Sequence, residues 1–522
     1  MREFLSKHAG AVTGTLSGFD RQLFRGSLLQ LAHQAGVLIY LGLVRVLLKD
    51  FAKHAAALTE QLKAASEELA ERTHRPYRYL HYSSGSKKQI AGDCAEADGI
   101  KQGLICILGA VEPCLSYDIL RDREAKRLRL GPRHRMCLHL YHYQMHPLFG
   151  FMHARIQAWF PFSIQICLNG REWLARSMDA ADLQYAQRDN CFVWLQDPER
   201  AQQVIDQQVR VAWPGLLNAI AHELSPRHEA MFQPARLPYY WTTVQSEWAT
   251  DIMFRDPQYL ARLHPRLVHH GMTSFSSPDV LRFLGRKLPA TGNLPPRLEA
   301  EVTADMKRRP EGVRIKHRLG DNSIKMYDKQ GSVLRVETTI NDVSGFKTFR
   351  VPQDKPGAEP SWQQMRKGVA DLHRRTETSQ AANERYLRAM ASVEDTTPLG
   401  TLAARLCQPV RRNGRQVRAL NPYAPGDSKL LDAISRGEFT INGFRNRDLR
   451  QLLFTDAAEP EDVQRRHATA VSRQLALLRA HRLIIRPRGT HRYYLSPRGR
   501  LVVTALIAAR NVGTEQLTKL AA

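Results

Sequence analysis

Apolar positions along the chain follow two periods, and where each prevails sets the expected elements. Residues 1–76 read as helical, with Phe51 to Arg72 carrying Leu58, Leu62 and Leu69 on one side and Glu60, Lys63, Glu67 and Glu71 elsewhere. Gly18-Phe19-Asp20-Arg21 and Phe24-Arg25-Gly26 read as a turn inside that region, and Val37–Leu48 as a short buried helix interrupted by Arg45. Tyr77–Tyr82, Gln89–Ala97 and Gly103–Val111 then form a strand, a helix and a strand, a βαβ-like unit. Lys126–Leu130 and Met136–Tyr143 read as two strands, and the helical stretches Gly170–Met178 and Glu199–Val209 flank a strand-like Cys191–Leu195. Period-two alternation is clearest in Val313–Leu319, Asn322–Lys329 and Val333–Ile340, three antiparallel strands joined by Gly320-Asp321-Asn322 and Gln330-Gly331-Ser332.

Pro352–Pro360 reads as a linker and Trp362–Val393 as a long polar helix rich in arginine. Pro409–Arg418 reads as a basic loop. The tail is expected to fold as helices near Ser428–Arg436, Phe444–Phe454 (capped by Asn446 or Asn442) and Val463–His481, strands Leu483–Ile485 and Tyr493–Leu495, and a closing helix opened by Pro497. The expected class is therefore α+β and multidomain: a helical region at 1–76, a mixed α/β domain at 77–230, an α+β domain at 231–350 ending in a basic antiparallel sheet, a linker and basic helix at 351–427, and a terminal domain at 428–522.

The order helix, helix, helix, hairpin, helix, with the run "LLRAHRLIIRPRGTHRYYLSPRGR" at 477–500, resembles a winged helix-turn-helix domain of the bacterial regulator type. That resemblance implies a third helix in the major groove and a wing along the backbone. Arg466, Ser472 and Arg473 would then face bases, while Arg486, Arg488, Thr490 and Arg492 would hold phosphates. No Asp or Glu falls between Asp462 and Glu515, and guanidinium groups suit phosphate because their planar fork donates two hydrogen bonds.

Charge extends the same expectation to the whole chain. The 76 basic and 51 acidic residues give a formal net charge of +25, which favours a polyanionic partner, DNA or RNA, and salt-sensitive binding. The 7 cysteines lack Cys-x-x-Cys spacing and read mostly as small core residues in a reducing cytosol. No stretch has the pattern of a secretory leader or a membrane span, so a cytoplasmic location is expected.

Alternation sorts the three strands into an apolar face and a second face carrying Arg314, Lys316, Arg318, Lys325, Tyr327, Lys329, Arg335 and Glu337. A cationic outer face of this kind is suited to tracking a phosphate backbone. The segment "SIKMYDKQGSVLRVETTI" at 323–340 resembles the "YDK … RVE" hairpin of some plasmid and phage replication initiators. Carried across, the resemblance makes Tyr327 a candidate nucleophile and Glu337 a candidate ligand, with Mg2+ or Mn2+ as the implied cofactor of a DNA-nicking reaction.

His142, Tyr143, His153, Arg155 and Trp159 are candidates for stacking on bases. No histidine pair shows the spacing of a metal site, and His222-Glu223 lacks its second histidine because position 226 is Pro226. Ser83 to Lys88 offers phosphate-holding chemistry without the spacing of a nucleotide-hydrolysing loop. Glu247 and Asp251 would share one helix face, as a metal site or as a hydrogen-bonded surface pair.

The leading expectation is a nucleic-acid-binding protein, a replication, mobile-element or defence factor that also works with an RNA. A metal-dependent nicking endonuclease and a ligand-sensing transcription regulator are the alternatives.

Overall fold

A computed structural model describes residues 1–82, 85–124, 126–225, 228, 230–232, 235, 237–275, 277–286, 302–309, 312–355, 357–391, 399–412, 414–436, 439, 443–454, 460–486 and 491–511. Its contacts divide the chain into two units. The first comprises Met1, Leu5–Val268 and Ala304–Tyr386; the second comprises Arg2–Phe4, His269–Thr303 and Leu387–Ala522. Among the described residues no helix is long and apolar enough to cross a membrane. The fold is mixed α and β, with one large sheet and many helices.

Within the first unit, the stretch expected to be helical holds the longest departure from expectation. Val12–Leu28 (β1) is a strand of 17 residues, and the anticipated turn at Gly18–Gly26 lies inside it. Threonines and three glycines disfavour a helix here. The strand is also held on both sides, by Tyr239–Phe254 (β9) and by Ile164–Asn169 (β6). The other strands are Tyr77–Leu80 (β2), Gly103–Asp122 (β3), Arg127–His146 (β4), Gly150–Gln157 (β5), Tyr185–Arg188 (β7) and Cys191–Leu195 (β8). Val302–Arg309 (β10), Gly312–Leu319 (β11), Asn322–Lys329 (β12) and Val333–Ile340 (β13) follow. The expected pair Lys126–Leu130 and Met136–Tyr143 is one continuous strand of 20 residues, β4, which pairs along β3 from Arg127 to Met145.

Among the described residues the sheet has 11 strands in the order β10-β11-β12-β13-β9-β1-β6-β5-β4-β3-β2, with β2 parallel to β3 as the βαβ reading requires. The three basic strands fall at the anticipated positions, but they pair onward through β13 to β9 and so share one sheet with strands from 77–230.

Helices cover both faces. On one face Gln34–Leu43 (α1), Phe51–Arg72 (α2) and Trp213–Leu224 (α6) pack Tyr40, Phe51, Leu58, Leu62, Trp213 and Leu217 against Phe19, Phe24, Ile156 and Ile164. Helix α1 is not fully buried as expected: Val37, Tyr40 and Leu41 face the core while Ile39 and Leu43 are exposed. On the other face lie Lys87–Ala97 (α3), Gly170–Asp179 (α4) and Pro198–Asp206 (α5), with β7 and β8 beside α4 and α5. The expected helix from Trp362 begins only at Leu372–Met390 (α7); Ser361–Gln364 is a strand paired with Lys347–Arg350. Asn383 of α7 bonds Thr338 at 2.7 Å and the Trp248 carbonyl at 3.2 Å.

In the second unit the tail follows the anticipated order: Pro425–Ser435 (α8), Asn446–Leu453 (α9), Glu461–Ala480 (α10), the pair Ile484–Ile485 and Tyr494–Leu495, and Pro497–Asn511 (α11). Leu430, Ile434, Leu449, Val471, Leu475, Leu478, Leu495 and Val502 form its core. Asn446 opens α9 rather than capping it; Asp448 instead bonds the Arg445 amide at 2.8 Å, and Asn442 lies outside the described residues. The basic loop before α8 contains a small antiparallel hairpin, Val410–Arg412 with Arg415–Val417.

Helix α4 starts where β6 ends, and its first residue, Gly170, sits against the β1 backbone: a Cβ there would lie 2.4 Å from the Phe19 carbonyl oxygen. Gly170→Ala is therefore expected to destabilise the first unit by about 1–3 kcal/mol through overpacking. Gly215→Ala in α6, which meets nothing within 4 Å, should be neutral or stabilise slightly. Urea unfolding midpoints of the two variants check this.

Candidate metal centre and charged sheet face

The site begins with an irregularity in β1. Phe19 pairs with Trp248 and Gln22 with Ser246, so Asp20 and Arg21 together stand opposite the single residue Glu247. A bulge of this kind breaks the alternation of side chains. Two consecutive residues, Asp20 and Arg21, thus both reach Glu247, and the Arg21 guanidinium donates to its carboxylate at 2.8 Å. Glu247 and Asp251 do share a face, but the face belongs to strand β9 and both are buried, which replaces the expected exposed helical pair.

The register of β11, β12 and β13 carries the rest of the face in cross-strand rows. Lys316 pairs with Lys325, Lys325 with Glu337, and Glu337 with Ala249. Arg314 pairs with Tyr327, Tyr327 with Arg335, and Arg335 with Asp251. One carboxylate oxygen from each of Asp20, Glu247 and Glu337 lies within 4.8 Å of the others. Glu337 accepts from Lys325 at 2.6 Å and from the Tyr327 hydroxyl at 2.8 Å.

Beneath this group Arg335 is fully buried. It donates to both Asp251 oxygens at 2.6 and 2.8 Å, to Asp20 at 3.2 Å and to the Asn190 carbonyl at 2.7 Å. Arg171 of α4 adds a second cation 3.2 Å from Asp251, and the Asn190 amide bonds Asp20. Four carboxylates (Asp20, Glu247, Asp251, Glu337) therefore face four cations (Arg21, Arg171, Lys325, Arg335), and the cluster is balanced without a metal.

The carboxylates are not equivalent. Burial would raise Glu337, but Lys325 and Arg335, with the hydrogen bond from Tyr327, overcome it and hold its carboxyl down at about 2. Burial likewise opposes ionisation of Asp251, and Arg335 and Arg171 prevail. Glu247 is raised, by burial and then by Glu337, against the pull of Lys325 and Arg21. Its charge is less satisfied than that of Glu337 or Asp251, so a cation gains more by engaging it than either of those two. Tyr327 is raised well above the phenol range by burial and Glu337. Three carboxylates form a hard oxygen donor set that suits Mg2+ or Mn2+.

The sequence candidates separate clearly by position. Tyr327 and Glu337 lie together in the centre, but Lys325, Tyr327, Lys329, Arg335 and Glu337 do not form the solvated cationic face that alternation suggests. The segment from α4 to α5 packs over this side of the sheet, so Arg335 is fully buried and Lys329 pairs with Asp189 at 3.1 Å. Arg314 and Lys316 are half-buried and Arg318 is exposed, 3.8 Å from Asp305.

Of the stacking candidates, Tyr143, His153 and Arg155 project to the face of the cluster. His142 points to the opposite side, is fully buried and bonds Ser66 at 3.2 Å, so it is a packed histidine. Trp159 packs against the core and under Arg135, whose guanidinium lies 3.8 Å from its ring centre. In the second unit Arg466 is exposed and paired with Asp462 at 2.8 Å, and Ser472 accepts from Asn446 at 2.9 Å. Arg473 lines a groove with Arg412, Arg415, Arg418 and Arg479. Arg486 follows the strand Ile484–Ile485 and Arg492 precedes Tyr494–Leu495, while Arg488 and Thr490 lie outside the described residues.

Asp20 has no sequence signature; only the bulge brings it to the centre. Lys87, from the expected phosphate loop, instead opens α3 and pairs with Glu112 at 2.8 Å, while Ser83 and Ser84 lie outside the described residues.

The comparisons with known proteins return no match: no family model, no curated relative and no solved structure is similar to this chain.

Because the Glu337 carboxyl is depressed on folding, its ionised form stabilises the fold above the unfolded value of about 4.3, and that stability is lost as pH falls towards about 2. Glu337→Gln should therefore flatten the loss of urea stability between about pH 4.5 and 2.5 relative to wild type.

Proposed function

We propose that this chain binds DNA or RNA and breaks a phosphodiester bond at the cluster on β1, β9 and β13, with Tyr327 as the nucleophile. The observation that carries the reading is the convergence of Asp20, Glu247 and Glu337 with a tyrosine hydroxyl and a lysine on one sheet face. A purely structural ion network needs cations to match its carboxylates, but it does not need a tyrosine hydroxyl directed at one of them.

A divalent ion held by Asp20, Glu247 and Glu337 would polarise a phosphoryl oxygen and neutralise charge on it. The protein's own groups account for the remaining steps. Glu337 accepts the hydrogen bond of the Tyr327 hydroxyl and takes its proton only as the phenolic oxygen bonds to phosphorus and the O–H becomes strongly acidic. The phenolic oxygen forms a bond to phosphorus, and the bond from phosphorus to the departing sugar oxygen breaks. That oxygen keeps the electron pair and takes a proton from Lys325. Arg21, about half exposed at the edge of the cluster, is placed to hold a non-bridging phosphate oxygen. The product is a nicked strand joined to Tyr327 by a phosphodiester, with no oxidant or further reactant required.

The second unit supports a separate grip. We read α8, α9, α10, the short strand pair and α11 as a winged helix, with Arg466, Ser472 and Arg473 of α10 towards bases and Arg486 and Arg492 towards phosphates. Support comes from the element order and from the arginines that line the α10 groove. Two basic modules on one chain raise avidity when both reach the same strand, and a net charge of +25 makes that binding steeply salt-dependent.

The test is incubation of the full chain with end-labelled single-stranded and hairpin oligonucleotides in Mg2+ or Mn2+. Wild type should cut and leave a labelled protein–nucleic acid adduct. Glu337→Gln should lose about 100-fold or more in rate, and Tyr327→Phe should form no adduct. Intact oligonucleotides under every condition would overturn the proposal, and cutting that persists in Tyr327→Phe would remove the tyrosine from its role.

A further inference from the structure

A second polar constellation lies on the same sheet face, four residues further along β1 from Arg21. Arg25, Gln165, Arg155 and Tyr141 form one cross-strand row through β1, β6, β5 and β4. Arg155 donates to Glu112 at 3.0 Å and to Gln165 Oε1 at 3.3 Å, while its Nε is buried without a partner. Glu112 also accepts from Lys87 at 2.8 Å and from Tyr141 at 2.7 Å. Arg25 is exposed and makes no ion pair or side-chain hydrogen bond among the described residues. One carboxylate thus serves two cations, and Arg25 is a third with no acidic partner. Partial burial, and after it the neighbouring Arg155, lower the Arg25 guanidinium.

This row opens into a cavity of about 370 Å³, within the size range of small-ligand sites. Its lining is mixed in chemistry. Arg25, Arg155 and Gln165 supply cationic and hydrogen-bonding groups, and Leu115, Tyr117 and Pro132 are among its apolar residues. His139 also lines it, with Nδ1 3.0 Å from the Cys137 carbonyl. Burial and Arg155 lower this histidine to about 4, so it is neutral at pH 7. With Nδ1 donating to the carbonyl, Nε2 presents a lone pair. The Gln165 amide oxygen is occupied by Arg155, which leaves its amide nitrogen as a donor.

We infer that this cavity binds a nucleoside phosphate, with the phosphate on Arg25 and Arg155, the base against Leu115, Tyr117 and Pro132, and the base edge on His139 Nε2 and the Gln165 amide. Neither set of groups is enough alone: the guanidinium pair selects a phosphate, and the apolar residues with one acceptor and one donor select a planar heterocycle. Strand geometry sets Arg25 about 13 Å from Arg21 along β1, a span that a few nucleotides of an extended strand cover. Resting on the proposed phosphodiester chemistry, the bound unit is a nucleotide of the substrate strand itself, and its capture fixes which bond reaches Tyr327.

The experiment measures equilibrium binding of the four deoxynucleoside monophosphates, the matching nucleosides and inorganic phosphate to the full-length protein at low salt. Wild type, Arg25→Ala and Gln165→Leu are compared, and circular dichroism shows whether each variant folds. At least one monophosphate should bind wild type more tightly than its nucleoside and than inorganic phosphate. Arg25→Ala should weaken it about tenfold or more, the loss of one charge-assisted contact, and Gln165→Leu should change the order of preference among bases.

Absence of mononucleotide binding, equal binding of inorganic phosphate and mononucleotide, or unchanged affinity in folded Arg25→Ala would each overturn the inference. The strand arm maps cut positions on an oligonucleotide, where Arg25→Ala should scatter the cut across neighbouring bonds; an unshifted cut would overturn the register role. The two readings fail separately. Cleavage without mononucleotide binding removes the pocket and keeps the chemistry, whereas mononucleotide binding without cleavage keeps the pocket and removes the chemistry.

Discussion

The charged face of the sheet depends on one buried ion pair, Arg335 with Asp251. Both groups are removed from water, and the guanidinium meets the carboxylate through two parallel hydrogen bonds. Removing one partner of such a pair costs about 3–5 kcal/mol, because the other is left charged and unsolvated. Arg335 directs two further donors to Asp20 and to the Asn190 carbonyl, so the same side chain fixes β13 to β9, to the bulge of β1 and to the turn between β7 and β8. Of the carboxylates of the candidate centre, Asp20 is held in place by a cation that cannot itself reach solvent.

That arrangement explains how one surface is both structural and reactive in character. At its base, charges are paired and closed off. At its edge, Lys325 is mostly buried while Arg21 is about half exposed, and Glu247 is pushed towards its neutral form by burial and by Glu337. The bulge makes the difference. Regular pairing would send either Asp20 or Arg21 to the hydrophobic side, among Phe19, Phe24 and Trp248; two residues against one let both stay with Glu247. Binding a cation there has to compete with Lys325 and Arg21, so the affinity of the centre is set by how readily those two side chains give way.

Much of the local structure was legible in the sequence. Strict alternation located β11, β12 and β13 and sorted their side chains correctly between faces, and helical spacing with Pro497 located α8 to α11. Tyr327 and Glu337 were brought forward by a short hairpin pattern. What alternation could not show is what lies over a face. Lys325, Lys329 and Arg335 read as solvated cations until the segment 170–206 packs across them. Asp20 and Arg21 were hidden for a different reason, and Glu247 was reached only as half of a pair with Asp251 on an expected helix, not as their partner. The bond from Arg21 to Glu247 joins residues 226 apart, and the glycines of β1 spoil both periods, so that a central strand looks like a turn. Partnership at that range is written in tertiary pairing, to which local periodicity is blind.

The central claim is that Asp20, Glu247 and Glu337, paired with cations as they stand, exchange Lys325 and Arg21 for a hard divalent cation. The most direct measurement is anomalous diffraction from crystals of the full-length protein equilibrated with Mn2+. The account predicts a manganese peak bonded to oxygens of these three carboxylates, with Lys325 displaced from Glu337, and loss of the peak in Glu247→Gln. A map with no manganese at the cluster, and with Lys325 and Arg21 still seated on Glu337 and Glu247, would contradict it.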